Sequence, residues 1–262
     1  MRNLQILGVA VALGVASLGA SAAALMPDYA NVPTDWTTDR YAPASFANVG
    51  TYQGRNDVLG IGISSADAFN NRPAGYQSTF YNTQGKQHVI AGGPGSSITA
   101  DLFIQSDWRD GANGSVRSDM WGVMADAGSV VSAYPIIGFT NYGGSARYRV
   151  WDELTGWHDL AVAVTYDAWT EFEIQYSGSS FDFLINGVSV YSDGTINGTT
   201  GFSAVIMQAY NFGGDPSISG AVANDYTAHW ANASTAQVPE PASLALTALA
   251  LLAAAAASRR RA

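Results

Sequence analysis

The chain has 262 residues, no cysteine and a formal net charge of −9 at pH 7. Four arginines and one glutamate lie in its terminal segments, so the middle keeps 8 basic and 20 acidic residues, a net charge of −12. So acidic a surface repels phosphate backbones, which excludes nucleic acid as an expected partner. Without disulfides, the fold must be stabilised by apolar burial.

Residues 1–24 predict a secretory signal peptide. Arg2 precedes an uncharged apolar run at 4–18, and small residues follow at 20–24. This is the order of charged, apolar and cleavage regions in such peptides. A buried N-terminal helix, the alternative, would show a polar face, and this segment shows none. We therefore expect export, with a mature chain that begins near Ala23 or Leu25.

Residues 25–231 predict one all-β domain. Apolar side chains recur at every second position, for example in the runs 59–63, 98–104 and 160–166, and Gly, Asn, Asp and Ser separate the runs. This pattern is typical of short antiparallel strands. A sandwich of this length commonly forms without splitting into two domains. The expected fold is a two-sheet antiparallel β-sandwich.

The clearest strands lie between Trp169 and Val190. Two alternating apolar runs are followed by Asn186-Gly187, a pair that favours a tight hairpin turn. Three consecutive strands in a meander are predicted. The leading Trp and the run Phe-Asp-Phe-Leu-Ile-Asn-Gly-Val at 181–188 resemble the later strands of concanavalin A-like lectin and laminin G-type jelly rolls. That resemblance implies two sheets packed face to face, whose concave sheet or rim loops meet the ligand.

Aromatic side chains are the main indication of a ligand, since the chain has seven Trp and 13 Tyr. Sugar rings present C–H faces that stack on indole, with neighbouring Asp or Asn as hydrogen-bond acceptors. Two tryptophans and an aspartate flank the turn at 153–156, and two further aromatics lie in Gly-rich loops; core packing is the alternative for the first tryptophan. The candidate saccharide contacts are Trp151, Asp152, Trp157, Tyr142 and Trp108.

Glu171 and Glu173 suggest glycoside hydrolysis as the enzyme hypothesis. Residues two apart in a strand share one face at about 6.6 Å, near the spacing of cooperating carboxyl groups. The glucanases of the jelly-roll scaffold carry Glu-x-Asp-x-x-Glu, however, and the run at 171–176 lacks the central Asp and the third carboxylate. A solvated strand face explains both glutamates. We predict no catalytic residues and no enzyme activity.

Other chemistry is not indicated. No Gly-x-Ser-x-Gly elbow stands between a strand and a helix, and no Gly-rich phosphate loop precedes a helix. The histidines at 88, 158 and 229 are far apart in sequence, and isolated histidines seldom bind zinc. No metal and no cofactor are therefore expected.

Calcium is the one ion left open. The loop at 107–113 supplies three side-chain oxygens, yet it has Arg109 and Gly111 where an EF-hand has further ligands. A plain acidic turn is the favoured interpretation. The weak calcium candidates are Asp107, Asp110 and Asn113.

The C-terminus predicts a sorting tail after a short linker at 232–237. An apolar helix at 242–258 is long enough to approach a bilayer span, and the arginines after it favour the cytoplasmic side. The signal resembles the PEP-CTERM tails of Gram-negative bacteria, which implies an exosortase-type membrane protease as partner; an ordinary membrane anchor is the alternative. Its residues within 238–262 are Val238, Pro239, Glu240, Pro241, Arg259, Arg260 and Arg261.

Together these observations predict an exported protein that is first anchored in the inner membrane and then reaches the cell surface or the extracellular matrix. The expected role is non-enzymatic, namely weak carbohydrate binding to an extracellular polysaccharide, or matrix building. Two alternatives remain: a jelly-roll glycan hydrolase or lyase, and a structural coat or adhesion module without a soluble ligand.

Overall fold

The computed structural model describes residues 27–237. The predicted signal peptide (1–24) and sorting tail (238–262), including the helix at 242–258, lie outside the described residues. Two antiparallel sheets pack face to face, which confirms the predicted sandwich.

Within 27–237 the chain forms fifteen strands: β1 (Thr37–Thr38), β2 (Ser45–Asn48), β3 (Leu59–Ile63), β4 (Thr83–Gly92), β5 (Ser96–Ile104), β6 (Arg117–Asp126), β7 (Val131–Ala133), β8 (Ile136–Thr140), β9 (Arg147–Asp152), β10 (Gly156–Asp159), β11 (Ala168–Tyr176), β12 (Phe181–Ile185), β13 (Val188–Asp193), β14 (Thr199–Tyr210) and β15 (Tyr226–Gln237). Short 3-10 helices lie at Ser65–Asp67, Ala74–Tyr76, Thr79–Asn82, Ser106–Arg109 and Gly111–Asn113.

The two sheets differ in strand order. Sheet A runs β1-β4-β14-β6-β8-β9-β10, with β7 paired to β6, and sheet B runs β13-β12-β11-β5-β15-β3-β2. Consecutive strands of the chain often change sheet, so about half of the neighbours in a sheet are distant in sequence. The strand pairs are antiparallel throughout.

The core lies between the sheets and is built from alternate residues of each strand. The apolar face of β5 is fully buried, and so are the inward residues of β11 and β12. Trp230 of β15 is buried among them and packs against Phe172 at a ring-centroid distance of 5.9 Å. The predicted meander is confirmed, because β11 pairs with β12 and β12 with β13.

The hairpin turn between β12 and β13 follows from its residues. Asn186 and Gly187 have φ angles of 50° and 73°, the left-handed conformation that this turn requires. Asn197 and Gly198 adopt the same conformation, at 49° and 74°. The predicted turn at Asn186-Gly187 is thereby confirmed.

Two segments differ from the sequence prediction. Residues 160–166 form no strand, although their apolar members, such as Leu160 and Val162, do pack against the core. Alternation therefore identified the buried face correctly but not a pairing partner. Residues 232–237, predicted as a linker, instead continue β15 and pair with β5, after a register shift between Ala231 and Ser234. This part of the strand is held in the sheet by backbone pairing with β5 rather than by apolar burial. Its side chains are therefore mostly polar, and a polar segment suggested a linker.

Candidate functional site

The outer face of sheet A carries a row of aromatic and apolar side chains that crosses five strands. Strand register places Trp157 of β10 beside Trp151 of β9, and Trp151 beside Ile136 of β8. Ile136 in turn lies beside Trp121 of β6, and Trp121 beside Ile206 of β14. We call these five residues the tryptophan row. Because neighbouring residues of a strand alternate between faces, the whole row points away from the core.

A second row lies two residues away from the tryptophan row on each strand, and four of its five members are polar or charged. A Cβ at Gly138 would stand 2.3 Å from Oδ1 of Asp119 and 2.4 Å from the carbonyl oxygen of Ser118. Only a glycine on β8 therefore leaves room for the Asp119 side chain. The members of this charged row are Asp159, Arg149, Gly138, Asp119 and Gln208.

Asp119 is the buried centre of the charged row. Its Oδ2 accepts hydrogen bonds from Nε of Arg117 at 2.6 Å and from Nε2 of Gln208 at 2.5 Å. Burial raises the pKa of Asp119, while the charges of Arg117 and Arg149 oppose that increase. The negative charge of Asp119 is therefore compensated by Arg117 and Arg149 at the outer face of sheet A.

The Trp157 indole is fixed by cations and by its neighbour. The guanidinium carbons of Arg149 and Arg117 lie 3.6 Å and 4.6 Å from its ring centroid. Trp151 meets it nearly edge-on, at 5.4 Å and 74°. Both tryptophans are half-buried, so each keeps part of its surface accessible.

A cleft of about 380 Å³ opens above the tryptophan row. Arg40 lies over Trp121, with 4.7 Å between guanidinium carbon and ring centroid, and forms an ion pair of 3.3 Å with Asp39. Oε1 of Glu153 accepts a hydrogen bond from the backbone N–H of Tyr134 at 2.5 Å, and burial raises the pKa of this carboxyl group. The cleft is lined by Arg40, Thr83, Arg117, Trp121, Tyr134, Ile136, Trp151, Glu153 and Trp157.

The structure brings two of the predicted saccharide contacts, Trp151 and Trp157, into this cleft. Asp152 has a different position, because its carboxylate closes the β9–β10 turn. Oδ1 accepts hydrogen bonds from the N–H and hydroxyl of Thr155, both at 2.7 Å, and Oδ2 accepts one from the Tyr191 hydroxyl at 2.9 Å. Burial alone would raise the pKa of Asp152, but these hydrogen bonds lower it to about 2.

The two loop aromatics do not line the cleft. Trp108 is only 3% exposed and packs against Phe139 and Tyr226. The expectation that it presents a ring to solvent is therefore corrected, since its 3-10 helix turns the indole into the core. Tyr142 is half-buried against Phe212, and its hydroxyl accepts a hydrogen bond of 3.4 Å from Nη1 of Arg149.

Sequence reasoning missed most of the cleft, including Trp121, Arg117 and Arg40. The sequence does show that Arg117, Asp119 and Trp121 share one face of a strand, because they stand at every second position. It could not show that this face lies beneath a cleft, because the residues beside it come from β8, β9, β10 and β14.

Glu171 and Glu173 lie elsewhere, on the outer face of sheet B. Their neighbours Thr170, Phe172 and Ile174 point into the core, so the two glutamates point outward and are half-exposed. Oε1 of Glu173 accepts a hydrogen bond of 3.0 Å from the side chain of Gln175. Neither glutamate is near the cleft of sheet A.

The calcium candidates are divided between two environments. Asp107 and Asn113 line a separate cavity of about 220 Å³ together with Asn224 and Asp225. Asp110 instead caps the following 3-10 helix, since its Oδ1 accepts the N–H of Ala112 at 2.9 Å. Across residues 27–237, no group of three or more His, Asp or Glu side chains is arranged to hold a metal ion.

Comparisons with known proteins concern the tail and the domain separately. Residues 237–261 match the model of the PEP-CTERM protein-sorting motif. This chain carries an exosortase sorting signal. It is accordingly an exported, exosortase-processed cell-surface protein. No curated protein sequence matches the chain significantly, and in the described part no helix has the length and apolar character needed to cross a bilayer.

Several solved structures are similar to the domain at low identity. A β-glucanase of Bacillus licheniformis is 13% identical with a TM-score of 0.49, and covers 82% of this chain and 98% of its own. A β-1,3-1,4-glucanase (lichenase) from a mouse hindgut metagenome is 11% identical with a TM-score of 0.49, over 82% and 100%. Rv0315, a pseudo β-1,3-glucanase of Mycobacterium tuberculosis, is 14% identical with a TM-score of 0.43, over 81% and 95%. Identities this low carry no information about activity.

Proposed function

We propose that this exported protein binds a saccharide in the cleft of sheet A, without chemical turnover. One observation supports this most directly: three tryptophans in register on β6, β9 and β10 lie beneath an open cleft. A row of rigid, amphipathic rings suits the C–H faces of successive sugar units. Glu153 and Arg40 on the same lining offer an acceptor and donors for hydroxyl groups.

The carboxyl groups of the cleft argue for binding rather than hydrolysis. Glycoside hydrolysis needs one carboxyl group as acid and a second as nucleophile or base, on either side of the scissile bond. Glu153 is the one carboxylate of the cleft lining. Asp119 lies below it, buried and hydrogen-bonded to Arg117 and Gln208. A buried carboxylate held in this way is poorly placed to reach a sugar carbon.

The sorting signal gives this binding a location. Before processing, the apolar segment at 242–258 would anchor the chain in the inner membrane, with the domain on the outer side. After processing, the domain would meet extracellular polysaccharide at the cell surface or in the matrix. The binding partner is then a polymer of the producing cell's own envelope.

Affinity electrophoresis of the exported protein through gels containing the producing strain's polysaccharide tests this function. We expect the wild type to be retarded and Trp157→Ala to bind about tenfold more weakly or worse, because the variant loses a central aromatic contact. Trp169→Ala is the matched control. Its indole lies on the outer face of sheet B, beside Phe103 at 5.3 Å, and its removal should leave retardation unchanged.

Two outcomes would contradict the proposal. Unretarded migration of the wild type through every glycan gel would exclude saccharide binding. Release of reducing sugar on incubation with the same polysaccharides would establish the hydrolase alternative instead. Thermal unfolding of both variants separates lost binding from lost folding.

A further inference from the structure

Resting on the proposed saccharide binding, we infer that the ligand is acidic, a uronate-type polysaccharide whose carboxylate pairs with Arg40 and Arg117. Both guanidinium groups line the cleft, and their side chains are only 18% and 10% exposed. Three tryptophans of the tryptophan row line the same cleft. A sugar ring on the indoles would therefore bring a ring carboxylate within reach of two cations.

Basic residues are concentrated at this face. Residues 27–237 contain eight Lys and Arg side chains against a strong excess of acids. Four of the eight, Arg40, Arg117, Arg147 and Arg149, lie in the cleft or on the same face of β6 and β9. After Arg149 there is no Lys or Arg until Arg259. An acidic polymer is thus repelled by most of the domain and least by this cleft.

The positive charges of Arg40, Arg117 and Arg149 also repel one another. Burial lowers the pKa of Arg40, and the nearby charge of Arg117 lowers it further. Burial likewise lowers the pKa of Arg149, again with a contribution from Arg117. Neighbouring like charges of this kind are costly unless an anion compensates them. Asp119 compensates part of the charge from below, and an anion in the cleft would compensate it from above.

The hydrogen-bonding capacity of these arginines is incompletely used. Within residues 27–237, Arg117 hydrogen-bonds through Nε alone, to Asp119, so its two Nη groups keep their donors. In the described part of the chain, Arg40 is paired only with its neighbour Asp39, at 3.3 Å. Guanidinium groups bind carboxylates through two parallel N–H···O bonds, so free donors of this geometry favour a carboxylate over a hydroxyl group.

Glu153, the one carboxylate of the cleft lining, does not oppose this placement. Arg117 aligns across β8 with Arg147, at the start of β9, whereas Glu153 follows the end of β9. The charges that raise the pKa of Glu153, after burial, are those of Asp193 and Asp152. Arg117 therefore lies level with the start of β9, whereas Glu153 lies beyond its end. An anion beside Arg117 would be separated from the Glu153 carboxylate by the length of this strand.

The test compares polygalacturonate and alginate with the same polymers after methyl esterification, which removes charge and keeps the sugar ring. At low ionic strength we expect the acidic forms to bind the exported protein at least about tenfold more tightly than the esters, with a difference that shrinks as NaCl is added. Arg40→Gln should abolish the preference and Arg40→Lys should keep part of it. Arg109→Gln, which removes the same charge from an exposed position at the end of a 3-10 helix, is the control.

The possible outcomes distinguish failure of the acidic-ligand inference from failure of the proposed saccharide binding. Equal binding of acidic and esterified forms, lost in Trp157→Ala, would overturn the acidic ligand and leave saccharide binding intact. Binding of neutral glucans alone would have the same meaning. An acid preference that Arg109→Gln reduces as much as Arg40→Gln would also overturn it, because the effect would then come from net charge. No binding of any polymer would overturn both.

Discussion

The outer faces of the two sheets use the same alternation of residues in different ways. On sheet A the outward side chains are themselves largely buried, and they include the charged residues Asp119 and Arg149. On sheet B, outward residues such as Glu171 and Glu173 are half-exposed and meet water. A buried charge needs partners within the protein, whereas a solvated charge does not. Sheet A carries three such charges, Arg117, Asp119 and Arg149, on β6 and β9. On sheet B, Asp101 of β5 is also buried and has partners in Arg55 and Asn232, whereas the two glutamates need none.

Aromatic residues show the same contrast. On sheet B, Trp169 donates its indole N–H to the carbonyl oxygen of Gln53 at 3.0 Å and packs under Arg55, 4.5 Å from its ring centroid. Tyr52 of the same loop stacks on His229 at 3.8 Å. These rings are covered by the protein's own loop. The tryptophan row of sheet A instead faces an open cleft, so aromatic content alone does not identify a binding face.

The largest expected difference between the two outer faces is in the free energy of unfolding that is lost when one aspartate on each face is replaced by alanine. Asp119→Ala should lower the free energy of unfolding by about 3–5 kcal/mol, because it leaves the buried charges of Arg117 and Arg149 without their partner. Asp182→Ala on β12 should cost about 1 kcal/mol, since its carboxylate is half-exposed and accepts the hydroxyls of Ser180 and Ser192, two neutral donors. Urea denaturation measures both, and equal losses would contradict the contrast.

Replacing a glycine by alanine should also destabilise the protein more on sheet A than on sheet B, by a smaller margin. Gly138→Ala in sheet A should cost about 1–3 kcal/mol, because the new Cβ meets both the Ser118 carbonyl oxygen and Asp119. Gly62→Ala on the outer face of sheet B should cost less than about 1 kcal/mol. There the one close atom is the Ser45 hydroxyl oxygen, at 2.3 Å, and that side chain can rotate away. Thermal unfolding of the two variants decides the order.

The smallest effect is expected for the glutamates that suggested catalysis. A double variant, Glu171→Gln with Glu173→Gln, should change the free energy of unfolding by less than about 0.5 kcal/mol, as surface substitutions usually do. It should leave saccharide retardation unchanged, because both residues lie on the face opposite the cleft. Loss of binding in this variant would move the site to sheet B.

The fold could be predicted further than the site. Alternation identified the buried faces of β3, β5, β11 and β12, and Asn186-Gly187 identified a turn. Each of these signals lies within a few residues of chain. The cleft instead combines Trp121 with Trp157, on strands separated by β8 and β9, and no local pattern reports that register. Two indoles were predicted because they belong to one hairpin, and the third was missed because it does not.

The sequence by itself predicted the signal peptide, contained the sorting motif, and set the two-residue period that separates the core face from the outer face of each strand. Only the tertiary structure decided which outer face became a cleft and which met water. The physical reason is that the period of a strand is a local property, whereas cross-strand neighbours come from distant segments. Asp119 and Gln208, 89 positions apart, become hydrogen-bonded partners only once β6 and β14 have paired.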